Sequence, residues 1–394
     1  MGINSGLISM ITPAGGKFTC PYCYAEHSIA DCGLKCSYNI NGKTEKTCKA
    51  GVTKYDDLSG YDWIPQANKK KCLDCKEAAK QLFCDQITDK EIPIEFLSMK
   101  SLPIALLGAK ASGKSNYIGV LVNEIRKKMT RPFNCSLSMT CSRESKEAYD
   151  NNYYNPLYVH KRIIGATDSG IIPPLIFPLK FMNEKDRIKN MAALTFYDTA
   201  GENLDDRDNM NKYNRYITNA RGIILLLDPL QVPKIRSMLT ANKFASLPEK
   251  NTEIYDVLSR IIDVIKSYKK NIKGRIKIPL ALVFTKIDVL EQYNILPEDS
   301  SLKEESEHIK RGAFIGSDFE NIDLHMRDLI DNWLDDEIFG YLKQFEQYSF
   351  FGATALGANP NGTAIDSGGI RPRRVLDPLL WLLAINNYIR SFKK

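Results

Sequence analysis

The segment Gly108-Ala109-Lys110-Ala111-Ser112-Gly113-Lys114-Ser115 constrains this chain more than any other, because it follows the apolar run Leu102 to Leu107 and opens a helix-like stretch. Glycines at these spacings let the backbone curl until successive N–H groups face one point at a helix start, where the dipole also favours an anion. The pattern is a complete phosphate-binding loop in its strand-to-helix context and predicts nucleoside triphosphate binding. Lys114 is expected to bridge the β- and γ-phosphates, Ser115 to join a Mg²⁺ shell, and Asn116 to continue the loop into the helix.

Three later motifs choose the base and the chemistry. The apolar run Leu194 to Tyr197 ends in Asp198-Thr199-Ala200-Gly201, where a strand-end carboxylate can hold Mg²⁺ through water and Gly201 can offer its N–H to the γ-phosphate. A second apolar run, Ile278 to Phe284, leads into Thr285-Lys286-Ile287-Asp288. A carboxylate there accepts from both guanine N1–H and N2–H₂, a donor pair adenine lacks, so Asp288 is the expected guanine reader. The stem of Lys286 can cover the base face. The short strand Tyr348 to Phe351 then ends in Gly352-Ala353-Thr354-Ala355-Leu356, whose N–H groups can meet guanine O6. An ATPase is the competing reading, and it makes the Thr285 to Asp288 motif a coincidence.

In this order the motifs resemble the Ras-like, translation-factor-related class of P-loop GTPases. The resemblance implies an α/β fold, a three-layer P-loop NTPase domain with a mostly parallel sheet and one antiparallel edge strand. Leu175 to Phe181 suits that strand, since Pro178 removes a ladder donor that a central strand needs. It further implies a switch threonine between the P-loop helix and the hairpin, contacting Mg²⁺ and γ-phosphate only in the triphosphate state. Thr167 is the candidate, with Thr130, Thr140 and nearby serines competing. Where such enzymes commonly carry a water-orienting glutamine, this chain has Glu202. A carboxylate beside the γ-phosphate adds repulsion, so intrinsic hydrolysis is expected to be slow without a partner.

Eight of the ten cysteines lie between Cys20 and Cys84. The pairs Cys20/Cys23 and Cys72/Cys75 have the Cys-x-x-Cys spacing of zinc knuckles, with Cys32, Cys36, Cys48 and Cys84 around them and His27 as a spare ligand. Eight thiolates suffice for two four-cysteine Zn²⁺ sites, and the pairing stays open: one partition joins Cys20, Cys23, Cys36 and Cys48, another joins the two knuckles. A module this poor in apolar residues needs metal for its folding free energy. Disulfides are the rival; the absence of a signal peptide and the reducing surroundings of nucleotide switches favour zinc and a cytoplasmic location. Residues 1–100 carry 13 Lys and no Arg against 12 Asp and Glu, so nucleic acid is not the expected partner of this module.

A small zinc-ribbon-like domain over 1–98 and an enlarged GTPase domain over 99–394 account for the length. No apolar run is long enough to span a bilayer. Strands are expected near 102–107, 175–181, 192–198, 222–228, 278–284 and 347–351, and helices near 115–129, 252–269, 322–344 and 377–391. The tyrosine-rich span from Thr130 to Ile164 reads as an insertion whose hydroxyls are satisfied internally, or else as a partner surface.

The cysteine-rich front end, Asp198-Thr-Ala-Gly-Glu202 and the C-terminal Asp377-Pro378-Leu379-Leu380-Trp381 stretch together resemble bacterial GTPases of the double-GTPase group, second type, associated with conflict or defence systems. That resemblance implies a GTP-hydrolysing switch with GTP, Mg²⁺ and Zn²⁺, acting on a separately encoded protein effector or activated by a protein in trans. The competing function is a scaffold that binds GTP without turning it over. Oligomeric state is not legible at this level.

Overall fold

A computed structural model describes residues 100–394, apart from 110–111, 140–142, 166–173, 197–213, 243–246, 248–253, 269–273, 361 and 393–394. It also describes short stretches between 17 and 93. The organising element is a seven-stranded sheet built from β1 (Lys100–Gly108), β2 (Cys135–Leu137), β3 (Leu175–Met182), β4 (Ile188–Phe196), β5 (Gly222–Leu227), β6 (Leu280–Phe284) and β7 (Tyr348–Gly352). Its order is β2-β3-β4-β1-β5-β6-β7. From β4 to β7 all neighbours are parallel, and β3 runs antiparallel to β4 and β2.

Alternation along the parallel strands divides the core in two. Ile104, Leu106, Ile224, Leu226, Ala281 and Val283 face one cluster, while Ala105, Leu107, Ile223, Leu225, Leu282 and Phe284 face the other. A strand covered on both faces has no solvent side to mark with polar residues, which is why Gly222–Leu227 reads as an uninterrupted apolar run. The first face is covered by α1 (Lys114–Glu124) and by α2 (Arg143–Tyr149), which continues as a wide π-type helix over Asp150–Val159. The second is covered by α3 (Pro233–Ala241), α4 (Ile254–Tyr268), α5 (Ile287–Gln292), and, beyond the short α6 (Glu307–Arg311), by α7 (Gly316–Trp333) and α8 (Glu337–Leu342). The closing helix α9 (Asp377–Ile385) returns to the first face. This is the three-layer α/β arrangement expected from the alternation of strands and helices.

Helix α4 shows how its sequence selects its place. Leu258, Ile261, Ile262 and Ile265 form one buried stripe at helical spacing. Burying each contributes about 1.5–3 kcal/mol, and the opposite face carries the charges.

Three differences from the sequence reading have physical causes. The antiparallel strand holding Pro178 lies one place in from the edge, because Cys135–Leu137 pairs outside it. That pairing stops at Leu137↔Leu179, and the Pro178 carbonyl then accepts from Ser138 N–H. The missing proline donor therefore points where β2 ends, and nothing is lost. The expected helix over 322–344 is two helices, broken where Leu334 turns extended. Within the tyrosine-rich span, Arg143–Tyr149 and Asp150–Val159 are helical and pack on the core: Tyr149 and Tyr153 are buried against α1, and the Tyr149 hydroxyl donates to the Gly119 carbonyl at 2.9 Å. Burial pushes that hydroxyl above the ordinary tyrosine range.

The front end contains short antiparallel pairings. Lys17–Thr19 pairs with Glu26–Ser28, and Cys32–Lys35 lies between Val52–Lys54 and Gln81–Cys84. Among the described residues no helix is long and apolar enough to cross a membrane.

Candidate functional site

The phosphate loop leaves the end of β1 and enters α1 directly. Gly108 sits where a Cβ would lie 2.5 Å from Ser112 Oγ and 3.0 Å from the Leu226 carbonyl, so the turn closes only without a side chain. Gly113 has φ 83 and caps α1 in the left-handed region, a conformation that costs glycine nothing. Lys114 is the first helical residue, and Ser115 and Asn116 follow it in the first turn, all three half-buried. Ser112 Oγ is buried without a hydrogen-bond partner among the described residues. An orphaned hydroxyl in a loop of this kind fits a phosphate oxygen as its partner. Ala109 is half-buried, and Lys110 and Ala111 lie outside the described residues.

The Thr285 motif begins at the end of β6, two strands away in the sheet, and is tied to the phosphate loop. Thr285 is buried, and its hydroxyl lies 3.1 Å from the Ser112 carbonyl and 3.2 Å from the Leu227 carbonyl, sharing its proton between them. Lys286, at φ 55, occupies the left-handed region that side chains rarely adopt. Its Nζ meets Asp228 Oδ2 at 2.6 Å. Asp228 stands just beyond β5 and is buried; its other oxygen accepts from Leu230 N–H at 2.9 Å. This acid is a part of the site that sequence reasoning missed. The signal for it was Asp228-Pro229 at the end of an apolar run, where the expected strand 222–228 absorbed the acid as its last residue.

The third loop packs onto the second. Ala353 N–H donates to the Phe284 carbonyl at 2.8 Å, and Asp288 N–H donates to the Thr354 hydroxyl at 3.1 Å. Thr354 exchanges backbone hydrogen bonds with Arg373 at 3.0 and 2.9 Å, and Arg371 N–H donates to Leu356. Residues 354–356 and 371–373 thus form a stem for the excursion 357–370, with Ala355 and Leu356 half-buried in it. Burial pushes the Asp288 carboxyl above the ordinary carboxylate range, opposed by its own backbone N–H, the Thr354 hydroxyl, Arg373 and Lys286. A cavity of about 1110 Å³ opens on Asp288 and Thr354, walled by the excursion, by Glu124 at the far end of α1 and by Lys128 just beyond it. Glu124, Asp288, Glu291, Glu305 and Asp366 outnumber Lys128, Arg371 and Arg373 on its walls. That balance suits a donor-rich base edge better than phosphates.

Behind the stem, Arg374 is buried between two acids. Its guanidinium lies 3.0 Å from Asp318 and 2.9 Å from Asp377. His308 adjoins them, its Nδ1 accepting from Ile315 N–H at 3.0 Å. The His308, Asp318 and Asp377 ligand atoms are close enough to hold a cation. Arg374 already neutralises that position, so the cluster is an ion-pair network that anchors the stem to α7 and α9. Burial raises the Asp377 carboxyl and lowers His308.

Several expected site residues lie outside the described ones: Thr167, Asp198, Gly201, Glu202, Cys23, Cys36, Cys48 and Cys75. For Cys32, Cys72 and Cys84 the backbone alone is described, and the register sets Cys32 directly opposite Cys84. Cys20 is buried, and its carbonyl accepts from Tyr24 N–H at 2.9 Å, with Tyr24 at φ 57.

The family described as DO-GTPase2, Double-GTPase 2, matches residues 102–329, more than half of the chain. A Mycolicibacterium smegmatis protein, SaeC, named for ESX-1 scaffolding and assembly, is 28% identical over 311 residues, covering 71% of this chain and 73% of its own length. The solved GTP-bound GTPase-like domain of S. cerevisiae Ski7 aligns at 15% identity with a TM-score of 0.31, over 73% of this chain and 50% of that one. Sup35 complexed with GDP aligns at 10% identity and a TM-score of 0.23, over 69% and 41%. This chain therefore spans about half the length, or less, of the solved chains it matches.

Proposed function

From the premise that the chain belongs to the Double-GTPase 2 family, we propose that it is a GTP-hydrolysing molecular switch acting on a separately encoded protein partner. The observation that carries the reading is the hydrogen bond from Thr285 to the Ser112 carbonyl. It joins the loop suited to phosphates to the loop suited to guanine, at the carboxyl ends of parallel strands where nucleotides bind in such sheets.

In this reading Gly108 to Ser115 wrap the phosphates with backbone N–H groups, and Lys114 neutralises the β- and γ-oxygens. Asp288 accepts from guanine N1–H and N2–H₂, and its partial desolvation makes that donor pair worth more than it is in water. The Lys286 stem covers the base while Asp228 holds its ammonium. Ala355 and Leu356 offer N–H groups near O6; the Thr354 N–H, expected there too, is instead given to the Arg373 carbonyl. Ser115, Thr167 and Asp198 would hold Mg²⁺, which supplies charge neutralisation at the phosphates. Thr167 and Gly201 change contacts when the γ-phosphate leaves, and Glu202 orients water poorly, so turnover is slow until a partner corrects it.

Cys20, Cys23, Cys32, Cys36, Cys48, Cys72, Cys75 and Cys84 would hold structural Zn²⁺ in the 1–98 module. The turn from Cys20 to Tyr24 and the facing positions of Cys32 and Cys84 support that. Zinc analysis returning less than one ion per chain refutes the module.

A second reading has specific support. The relative SaeC is named for scaffolding and assembly, which favours a GTP-dependent scaffold that binds without hydrolysis. Single-turnover hydrolysis by wild type and Lys114→Ala decides between them. A switch loses measurable turnover in the variant; a scaffold shows none in either protein.

A further inference from the structure

The excursion 357–370 does more than wall the cavity at Asp288. Its residues 363–365 pair with 161–163, in the stretch 161–165 that follows the helical segment on α1. Ile163 N–H donates to the Thr363 carbonyl at 2.9 Å and Ile365 N–H to the Lys161 carbonyl at 3.0 Å, flanking an antiparallel bridge between Arg162 and Ala364. In extended backbone, alternate residues turn their polar groups to opposite edges. Ile164 accordingly points away from the excursion, and its N–H donates to Asn116 Oδ1 at 2.9 Å while its carbonyl accepts from Asn116 Nδ2 at 3.4 Å. Residues 161–165 are thus held on one edge by the excursion of the base loop and on the other by the first turn of the phosphate-loop helix.

We propose that residues 363–365 are a positioning strand that ties the excursion of the base loop, through 161–165, to the first turn of the phosphate-loop helix, so that a guanine nucleotide gripped at both loops leaves only after this pairing opens. The inference rests on the guanine-nucleotide reading above. The excursion walls the cavity that Asp288 lines, and 161–165 carry its pairing to Asn116, the neighbour of Ser115 in the phosphate loop. A nucleotide held at both Asp288 and the phosphate loop restrains both edges at once, and its departure frees them. Asn116 and residues 363–365 are therefore retention elements, distinct from the groups that recognise the base.

The test uses the full chain loaded with a fluorescent GDP analogue and chased with unlabelled GDP. Ile365→Pro removes the donor to Lys161, and Ile163→Pro removes the donor to Thr363. Each is expected to speed release by roughly tenfold, the factor that corresponds to about 1.4 kcal/mol. Release within twofold of wild type in the folded variants overturns the proposal. Amide hydrogen exchange on the unmodified chain tests it without relying on either variant. The Ile163 and Ile365 amides are expected to exchange more slowly with GDP bound, and equal exchange with and without GDP overturns the proposal, since a merely structural pairing would be indifferent to the ligand. Wild-type protein that binds no guanine nucleotide refutes the underlying reading instead.

Discussion

Replacing Thr285 by valine removes one hydroxyl and keeps the shape of the side chain. The hydroxyl proton is shared between the carbonyls of Ser112 at 3.1 Å and Leu227 at 3.2 Å. The Leu227 carbonyl keeps a second donor, the Thr285 backbone N–H at 2.9 Å, whereas Thr285 is the donor to Ser112 among the described residues. The substitution therefore strands one buried acceptor, at a cost of about 1–3 kcal/mol. Because Ser112 belongs to the phosphate loop, much of that cost falls on the conformation that grips the nucleotide. GTP affinity should drop roughly tenfold or more, each factor of ten being about 1.4 kcal/mol. Titration calorimetry of wild type, Thr285→Val and Thr285→Ser reads the effect, since serine restores the donor and should recover most of the affinity. Thr285→Val binding GTP as tightly as wild type, with an unchanged denaturation midpoint, would show that the tie between the loops is idle.

Asp288→Asn should move preference from guanine toward xanthine nucleotides in competition binding without lowering the melting temperature of the nucleotide-free chain, because it removes a carboxylate that burial penalises; unchanged selectivity refutes its role. The ionised carboxylate accepts both guanine donors, and its pKa lies above the ordinary range. Wild-type affinity should therefore weaken as pH falls through that raised value while Asp288→Asn stays flat, and parallel pH profiles would contradict the assignment. Arg374→Met leaves Asp318 and Asp377 buried without their cation and should cost about 3–5 kcal/mol in denaturant titration; a loss below about 1 kcal/mol would show that the network is not anchoring the stem. Gly108→Ala drives a Cβ to 2.5 Å from Ser112 Oγ and 3.0 Å from the Leu226 carbonyl. It should weaken GTP binding and cost about 1–3 kcal/mol of stability, both measured against wild type in one preparation.

The parallel strands were legible because each is a short apolar run bounded by a motif, and burial on both faces leaves no ambiguity about where Ile223 to Leu227 must go. The tyrosine-rich helical segment was not. Its residues Asp150 to Val159 have weak helix preference and include Pro156, and what makes them helical is the surface that α1 offers to Tyr149, Tyr153 and Leu157. Strand β2 was missed for a similar reason: three residues carry no period, and only the edge of β3 gives Cys135–Leu137 a partner.

The same division runs through the site. Glycine spacing and the order of Lys114, Thr285, Asp288 and Thr354 are local facts, written in the chain and dictated by the chemistry of phosphates and of the guanine edge. That Thr285 reaches Ser112, that Asp228 takes the Lys286 ammonium, and that 363–365 lies beside 161–165 are facts about partners 173, 58 and some two hundred residues apart. No local propensity encodes such pairings. They follow once the sheet order sets β1, β5, β6 and β7 side by side, because buried hydroxyls, carboxylates and strand edges must find partners among whatever the packing brings near.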